Sequence, residues 1–234
     1  MMRGIFIIYM VKVVQKYRFL IVLQIMLFLP GWINSHITYM TLPAPLQQFD
    51  YQLFHLINSE WNNSLFDAVL PFLREANFWL PFYLFLLLLV TFNFGKQGGW
   101  WVLMIILTAV LSDILSSSVL KENLMRLRPC QDPSINGMIR ILVNYCPRSS
   151  SFPSSHAVNH FAAATFIYQT LKFNSKWWRL IFLWAFAIIY AQVYVGVHYP
   201  VDVFCGALIG MTLGWITSYI FNSRIGLQPL PKQE

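Results

Sequence analysis

The sequence predicts an all-α, polytopic membrane protein built as a bundle of six transmembrane helices, and three observations point there. Charged residues make up 11% of the 234 residues and apolar ones 57%, where a soluble domain carries roughly 25% charged. Apolar runs approaching the roughly 20 residues that a spanning helix needs recur along the chain. Short polar or glycine-containing stretches punctuate them. The length suits one integral-membrane domain over 1–234. In a soluble chain the net charge of +7 would suggest nucleic acid. Here the cations lie in loops beside apolar runs, which favours membrane topology and an anionic substrate, with no nucleic-acid partner.

The first run, 19–37, holds Pro30 and Gly31, which predict a kink or an early end. No small-residue cleavage site follows it, so it reads as a retained anchor, with Met1 or Met10 as the start. In 41–77, Phe49, Leu53, Phe54 and Leu56 recur at helical spacing among charges. That pattern fits amphipathic helices lying at the membrane interface, or loops packed over the bundle. The next spans are 78–94 and 100–120, joined by a turn from Gly95 to Gly99. Residues 121–153 are polar, basic and too long for a simple turn. Three more spans follow at 156–171, 177–197 and 201–221. In the last, Gly206, Gly210 and Gly214 form a stripe suited to close helix packing.

An even number of spans places both termini on one side. That side holds Arg3, Lys12, Lys16, Arg18, Lys96, Lys172, Lys176, Arg179, Arg224 and Lys232; the other holds Arg74, Lys121, Arg126, Arg128, Arg140 and Arg148. The positive-inside rule therefore puts both termini in the cytoplasm. Residues 121–153 and the polar clusters around them then face outward across the cell membrane.

Three polar clusters edge the apolar runs: Lys121-x6-Arg128-Pro129, Pro153-Ser154-Ser155-His156 and His198-x3-Asp202. Ionisable groups beside hydrocarbon are costly, and their grouping suggests a phosphate-handling site. Lys121 and Arg128 are seven residues apart, so a helix continuing past Leu120 would set them on one face, with Pro129 ending it. A guanidinium fork and an ammonium point charge both suit phosphate oxygens, although a basic flank anchored to headgroups would look similar. Ser154 or Ser155 can cap the helix that His156 opens, and free N–H groups at a helix start attract an anion. His160, one turn on, raises a metal pair, but no third ligand or H-E-x-x-H glutamate accompanies it, and no metal is predicted. His198 and Asp202 can form a pair in which the carboxylate fixes the tautomer and leaves one ring nitrogen free to attack. Asp113, inside the third span, has Ser112, Ser116, Ser117 and Ser118 within reach and reads as part of a structural network.

Taken together, KENLMRLRP, PSSH and AQVYVGVHYPVD resemble the type-2 phosphatidic acid phosphatase family, which shares its site with vanadium-dependent haloperoxidases. That family's pattern is Lys-x6-Arg-Pro, Pro-Ser-Gly-His and Ser-Arg-x5-His-x3-Asp, and the resemblance spans a phosphatase core over 78–222. It implies that His198 forms a phosphohistidine, that Asp202 orients it, and that His156 protonates the leaving group. Lys121, Arg128, Ser154 and neighbouring N–H groups would bind phosphate, without metal or other cofactor. Two positions depart from the pattern. Ser155 replaces the glycine of the second motif, and Ala191-Gln192 replaces Ser-Arg in the third. Gln192 can donate only a neutral hydrogen bond, about half as strong as a charge-assisted one. Arg148 or Arg126 could restore the missing cation; Arg148 is preferred because Arg126 lies outside the motif and out of helical phase with Lys121 and Arg128.

Cys130 and Cys146 fall in the outward segment, where an oxidising compartment permits a disulfide. The expected function is hydrolysis of a lipid phosphate or pyrophosphate, with polyprenyl pyrophosphate the first choice. The alternatives are a lipid phosphotransferase and a non-catalytic lipid-phosphate binding or transport protein, the latter prompted by Gln192.

Overall fold

The computed structural model describes residues 38–135 and 137–228, and its chain from Tyr39 onward forms one compact unit. The predicted first span, 19–37, lies outside the described residues. The described chain is mainly helical: α1 (Ala44–His55), α2 (Ser64–Leu73), α3 (Leu80–Asp113), α4 (Ser155–Leu171), α5 (Ile181–Tyr194) and α6 (Pro200–Arg224). Three helical stretches among the described residues are long and apolar enough to cross a membrane: Ala76–Asn123, Lys176–Tyr194 and Pro200–Arg224.

The first of these stretches is two helices, not one. Gly95 adopts φ +52°, a left-handed conformation that glycine tolerates and bulkier residues do not, and the chain reverses there. Gly98 then lies so close to the preceding helix that an added Cβ would sit 2.4 Å from the Val90 carbonyl oxygen. At the far end of the hairpin, Tyr83 and Asp113 meet adjacent residues of α4: Tyr83 Oη lies 3.4 Å from His160 Nε2, and Asn159 donates to Asp113 Oδ1 at 3.3 Å. These bonds put the start and the end of α3 at one level, which a straight helix could not do.

α4 is the central helix, and α6 packs against it more closely than any other element. The glycine stripe makes this possible. A Cβ on Gly206, Gly210 or Gly214 would lie 2.8, 2.3 or 2.3 Å from the carbonyl oxygens of Ser154, Val158 and Ala162. Trp101, Phe166 and Phe221 fill the core beside this contact. Two polar pairs cross the bundle: Trp101 Nε1 donates to Thr170 (2.7 Å) and Thr108 to Thr217 (2.9 Å), while Thr165 Oγ1 and Trp184 Nε1 are buried without a protein partner among the described residues. Around the outside runs a belt of exposed large apolar side chains, among them Phe85, Phe92, Leu103, Phe186, Phe204 and Trp215. Such a belt suits hydrocarbon rather than water as the solvent.

The segment between 121 and 153 departs from expectation. Helical structure runs on from α3 through wide turns at Ile114–Leu120 and ends at Asn123, so no helix carries Lys121 and Arg128 on one face. Arg128 is extended (φ −79°, ψ 154°), as steric exclusion by Pro129 favours for the residue before a proline. A disulfide joins Cys130 to Cys146 and closes the loop beyond it, while Cys205 is a free thiol.

Candidate active site

His198 lies in the short connection between α5 and α6 and is buried. Its two ring nitrogens face different partners. Nδ1 lies 3.6 Å from Asp202 Oδ2 and 3.4 Å from Ser151 Oγ, and Nε2 lies 3.1 Å from Arg128 Nη1. A guanidinium can only donate, so Nε2 offers it a lone pair and Nδ1 carries the proton toward the carboxylate. Burial pushes the His198 imidazole down to about 4; the Asp202 carboxylate opposes that, and the Arg128 and Lys121 charges add to it. The ring is therefore neutral near neutral pH, with the Nε2 lone pair directed at Arg128.

Asp202, in the first turn of α6, is fully buried and held on every side. Oδ2 accepts from Ser151 Oγ (2.5 Å) and from the Tyr199 N–H (2.9 Å), which also caps the helix. Oδ1 accepts from Arg126 Nη1 at 2.5 Å.

Arg128 uses all five of its N–H donors. Nε donates to the Ser149 carbonyl (2.9 Å) and Nη2 to Ser149 Oγ and the Ser150 carbonyl (3.2 Å each). Nη1 is shared between the Val197 carbonyl and His198 Nε2, both at 3.1 Å. Burial lowers its pKa to about 10, so it stays charged at neutral pH.

Ser154 caps α4 by accepting from the Ala157 N–H (3.5 Å), and its own N–H donates to the Asp202 carbonyl (3.1 Å). That bond ties the second cluster directly to the third. His156, in the first turn of α4, stacks on His160 with ring centroids 6.1 Å apart. His160 itself is anchored by the His156 carbonyl (2.8 Å) and packs on Trp184. The Ser155 hydroxyl is shared with Ser117 (3.1 Å), and Ser117 also donates to Asp113 (3.2 Å), which with Asn159 completes the small network around that carboxylate. Lys121 is half-buried and makes no hydrogen bond or ion pair among the described residues. Gln192, on the last turn of α5, is fully buried, and neither its amide nitrogen nor its amide oxygen has a partner.

The two arginines weighed for the missing cation part company. Arg148 is exposed and takes part in no hydrogen bond or ion pair among the described residues. The serine run after it turns the Ser149 and Ser150 carbonyls inward to Arg128 and leaves Arg148 outside. Arg126 is buried at the site, but both arms of its fork hold carboxylates, Asp202 and Asp50 (2.5 Å each). Helical phase does not apply to Arg126, because the backbone there is extended. Ser151 and Asp50 are site residues that the sequence motifs do not single out. The available signals were slight: three serines in a row before the second motif, and an aspartate four residues before Phe54 on the buried face of α1.

Comparison with known proteins accounts for the recurrence of the three clusters. The profile of the PAP2 superfamily matches residues 100–225 and so takes in all three. The lipid A 4'-phosphatase of Bacteroides thetaiotaomicron is 32% identical over 178 residues, covering 75% of this chain and 78% of that protein. The undecaprenyl-diphosphatase of Sulfolobus acidocaldarius is 29% identical over 178 residues, covering 74% and 78%. Among solved structures, Aquifex aeolicus LpxE superposes with a TM-score of 0.52 at 30% identity, over 72% of this chain and 94% of that one. A PAP2-type phosphatidylglycerolphosphate phosphatase from Bacillus subtilis shares the fold with a TM-score of 0.55 at 20% identity, over 89% and 98%. With a profile match over more than half of its length and a relative of this similarity, the chain belongs to the PAP2 superfamily.

Proposed function

We propose that this protein is a metal-independent lipid phosphatase working through a phosphohistidine on His198 at the outward face of the membrane. Its family is one of membrane phosphatases acting on lipid phosphates, and a phosphoric ester hydrolase is the enzyme class its relatives support. The observation that carries the mechanism is the 3.1 Å approach of Arg128 Nη1 to His198 Nε2. It sets a phosphate-binding cation beside the lone pair of the attacking nitrogen.

In the first step Nε2 attacks phosphorus, and Arg128 Nη1 exchanges its contact with the ring for a phosphoryl oxygen. The bond to the leaving oxygen breaks as His156, which takes up a proton when the anionic phosphate binds beside it, delivers that proton to the leaving oxygen. The imidazolium formed on His198 is stabilised through Nδ1–H by Asp202. Water then attacks the phosphohistidine, His156 takes its proton, and His198 leaves as the neutral ring. Lys121 supplies a positive charge to the equatorial oxygens, and the N–H groups at the start of α4 behind Ser154 and Ser155 and the Gln192 amide N–H supply neutral hydrogen bonds. An unpaired buried amide costs about 1–3 kcal/mol, a cost a phosphate oxygen would relieve. This makes Gln192 a neutral stand-in for the arginine of the family pattern.

A phosphate ester of a lipid A-type glycolipid is the substrate best supported, because relatives named lipid A 4'-phosphatase match at 32% and 27% identity. A polyprenyl pyrophosphate is the second reading, carried by the undecaprenyl-diphosphatase relative. The distribution of Lys and Arg supports the outward orientation, as does the disulfide, which suits an oxidising compartment. The Gly95 turn and the end of α6 share the opposite end, where Gln228 meets Gln97 at 3.4 Å. In this reading α1 and α2 rest at the membrane interface.

The test is phosphate release from purified protein offered both substrate classes with chelator present. Activity with chelator that is lost in His198→Ala is expected. Release that survives the substitution, or that stops with chelator, refutes the mechanism.

A further inference from the structure

We infer that Asp50 and Arg126 are positioning residues that set the orientation and the effective charge of Asp202, and through it the reactivity of His198; this rests on the phosphohistidine reading. Arg126 bridges two carboxylates, Asp202 Oδ1 through Nη1 and Asp50 Oδ2 through Nη2, each at 2.5 Å. Asp50 is fully buried, and its other oxygen accepts from the Val201 N–H (2.8 Å), in the residue next to Asp202. The guanidinium stacks 4.4 Å above the Tyr199 ring, and the Arg126 carbonyl accepts from the Ser151 N–H (2.9 Å). Arg126 therefore holds Asp202 by one oxygen and supports Ser151, which holds the other.

The charges explain why a second carboxylate is needed. Arg126 alone would neutralise Asp202 and leave nothing to stabilise an imidazolium. Burial pushes the Asp50 carboxyl up, and the Arg126 guanidinium and the Val201 N–H oppose that; with Asp50 ionised, two carboxylates and one guanidinium leave one negative charge, matching the positive charge that His198 gains during phosphoryl transfer. Asp50 thus restores what Arg126 takes away, while Arg126 keeps the carboxylate aimed at the ring. The other charged or titratable groups around His198 are Arg128, Lys121 and His156. The alternative role for this triad is a structural staple between α1 and α6.

The experiment compares Asp50→Asn with the double variant Asp50→Asn/Arg126→Gln in isolated membranes, reading kcat, KM and the acid limb of kcat/KM against pH. That limb reports the ionisation of the free enzyme's nucleophile. Removing the Asp50 charge leaves Asp202 neutralised by Arg126, so the imidazolium loses support and the limb should move to lower pH. Removing Arg126 as well restores one net negative charge, so the limb should return toward its wild-type position. The loss of activity should fall on kcat rather than KM, because the support acts on the imidazolium formed during the reaction. A staple predicts the opposite order, with the double variant worse than the single and both limbs unmoved; that result overturns the inference. Should Asp50→Asn fail to accumulate, Arg126→Gln decides. It leaves both carboxylates without their cation, so the limb should move to higher pH, and a folded, active protein with an unmoved limb defeats the charge argument. His198→Ala is run in parallel, because activity surviving there would remove the phosphohistidine reading itself, whatever the Asp50 variants do.

Discussion

Replacing Arg128 with lysine keeps the charge and removes the fork. The guanidinium serves five acceptors through five donors: the Ser149 and Ser150 carbonyls and Ser149 Oγ on one side, the Val197 carbonyl and His198 Nε2 on the other. An ammonium has three donors at one point, so at least two acceptors lose their partner. Each buried acceptor left unpaired costs about 1–3 kcal/mol, which should appear as a lowered unfolding midpoint in detergent. Catalysis should fall further. A lysine reaching the phosphoryl group cannot also hold the serine carbonyls, so the pre-set donor beside Nε2 is lost. Losing one such donor costs about 3–4 kcal/mol, or roughly 10²–10³-fold in kcat. The assay is phosphate release at saturating substrate, with folding checked by size-exclusion chromatography and the unfolding midpoint. A folded Arg128→Lys enzyme whose kcat stays within about threefold of wild type refutes the assignment of Arg128 as the donor at the reacting phosphorus.

Two further substitutions test the frame around the site. Gly210→Ala puts a Cβ 2.3 Å from the Val158 carbonyl oxygen and 3.0 Å from the Ala162 nitrogen, so α4 and α6 must separate. Overpacking of this kind costs about 1–3 kcal/mol, read as a lower midpoint, while Gly99→Ala meets nothing within 4 Å and should leave it unchanged. Arg148→Ala should retain kcat/KM within about twofold, as exposed substitutions away from a site do. A tenfold or larger loss would return Arg148 to the phosphate site.

What was legible in the sequence depended on how local the physics is. The turn at Gly95, the cap at Ser154, the His198–Asp202 spacing and the glycine stripe each depend on a few consecutive or helically spaced residues, and all appear where expected. A helix continued from Leu120 to Arg128 does not form, because Pro129 and the serine run favour extended backbone. The same helical extrapolation ranks Arg126 below Arg148. Asp50 was invisible for a different reason. Its partners Arg126 and Val201 lie 76 and 151 residues away, and one aspartate in an amphipathic helix looks like any solvated charge until the helix is docked.

Asp202 shows why the fold and the chemistry of this site cannot be varied separately. The same carboxylate caps α6 through the Tyr199 N–H, receives Ser151 and Arg126, and lies against His198 Nδ1. Its backbone carbonyl also receives the Ser154 N–H that fixes the start of α4. The glycine stripe of α6 begins one turn later, at Gly206, against that same Ser154. The two helices whose close approach is set in the bilayer therefore converge on the carboxylate that lies against His198 Nδ1. A change that spreads α4 from α6 should move Asp202 relative to His198 before it unfolds the bundle, so packing variants along the stripe belong with the site variants when activity is measured.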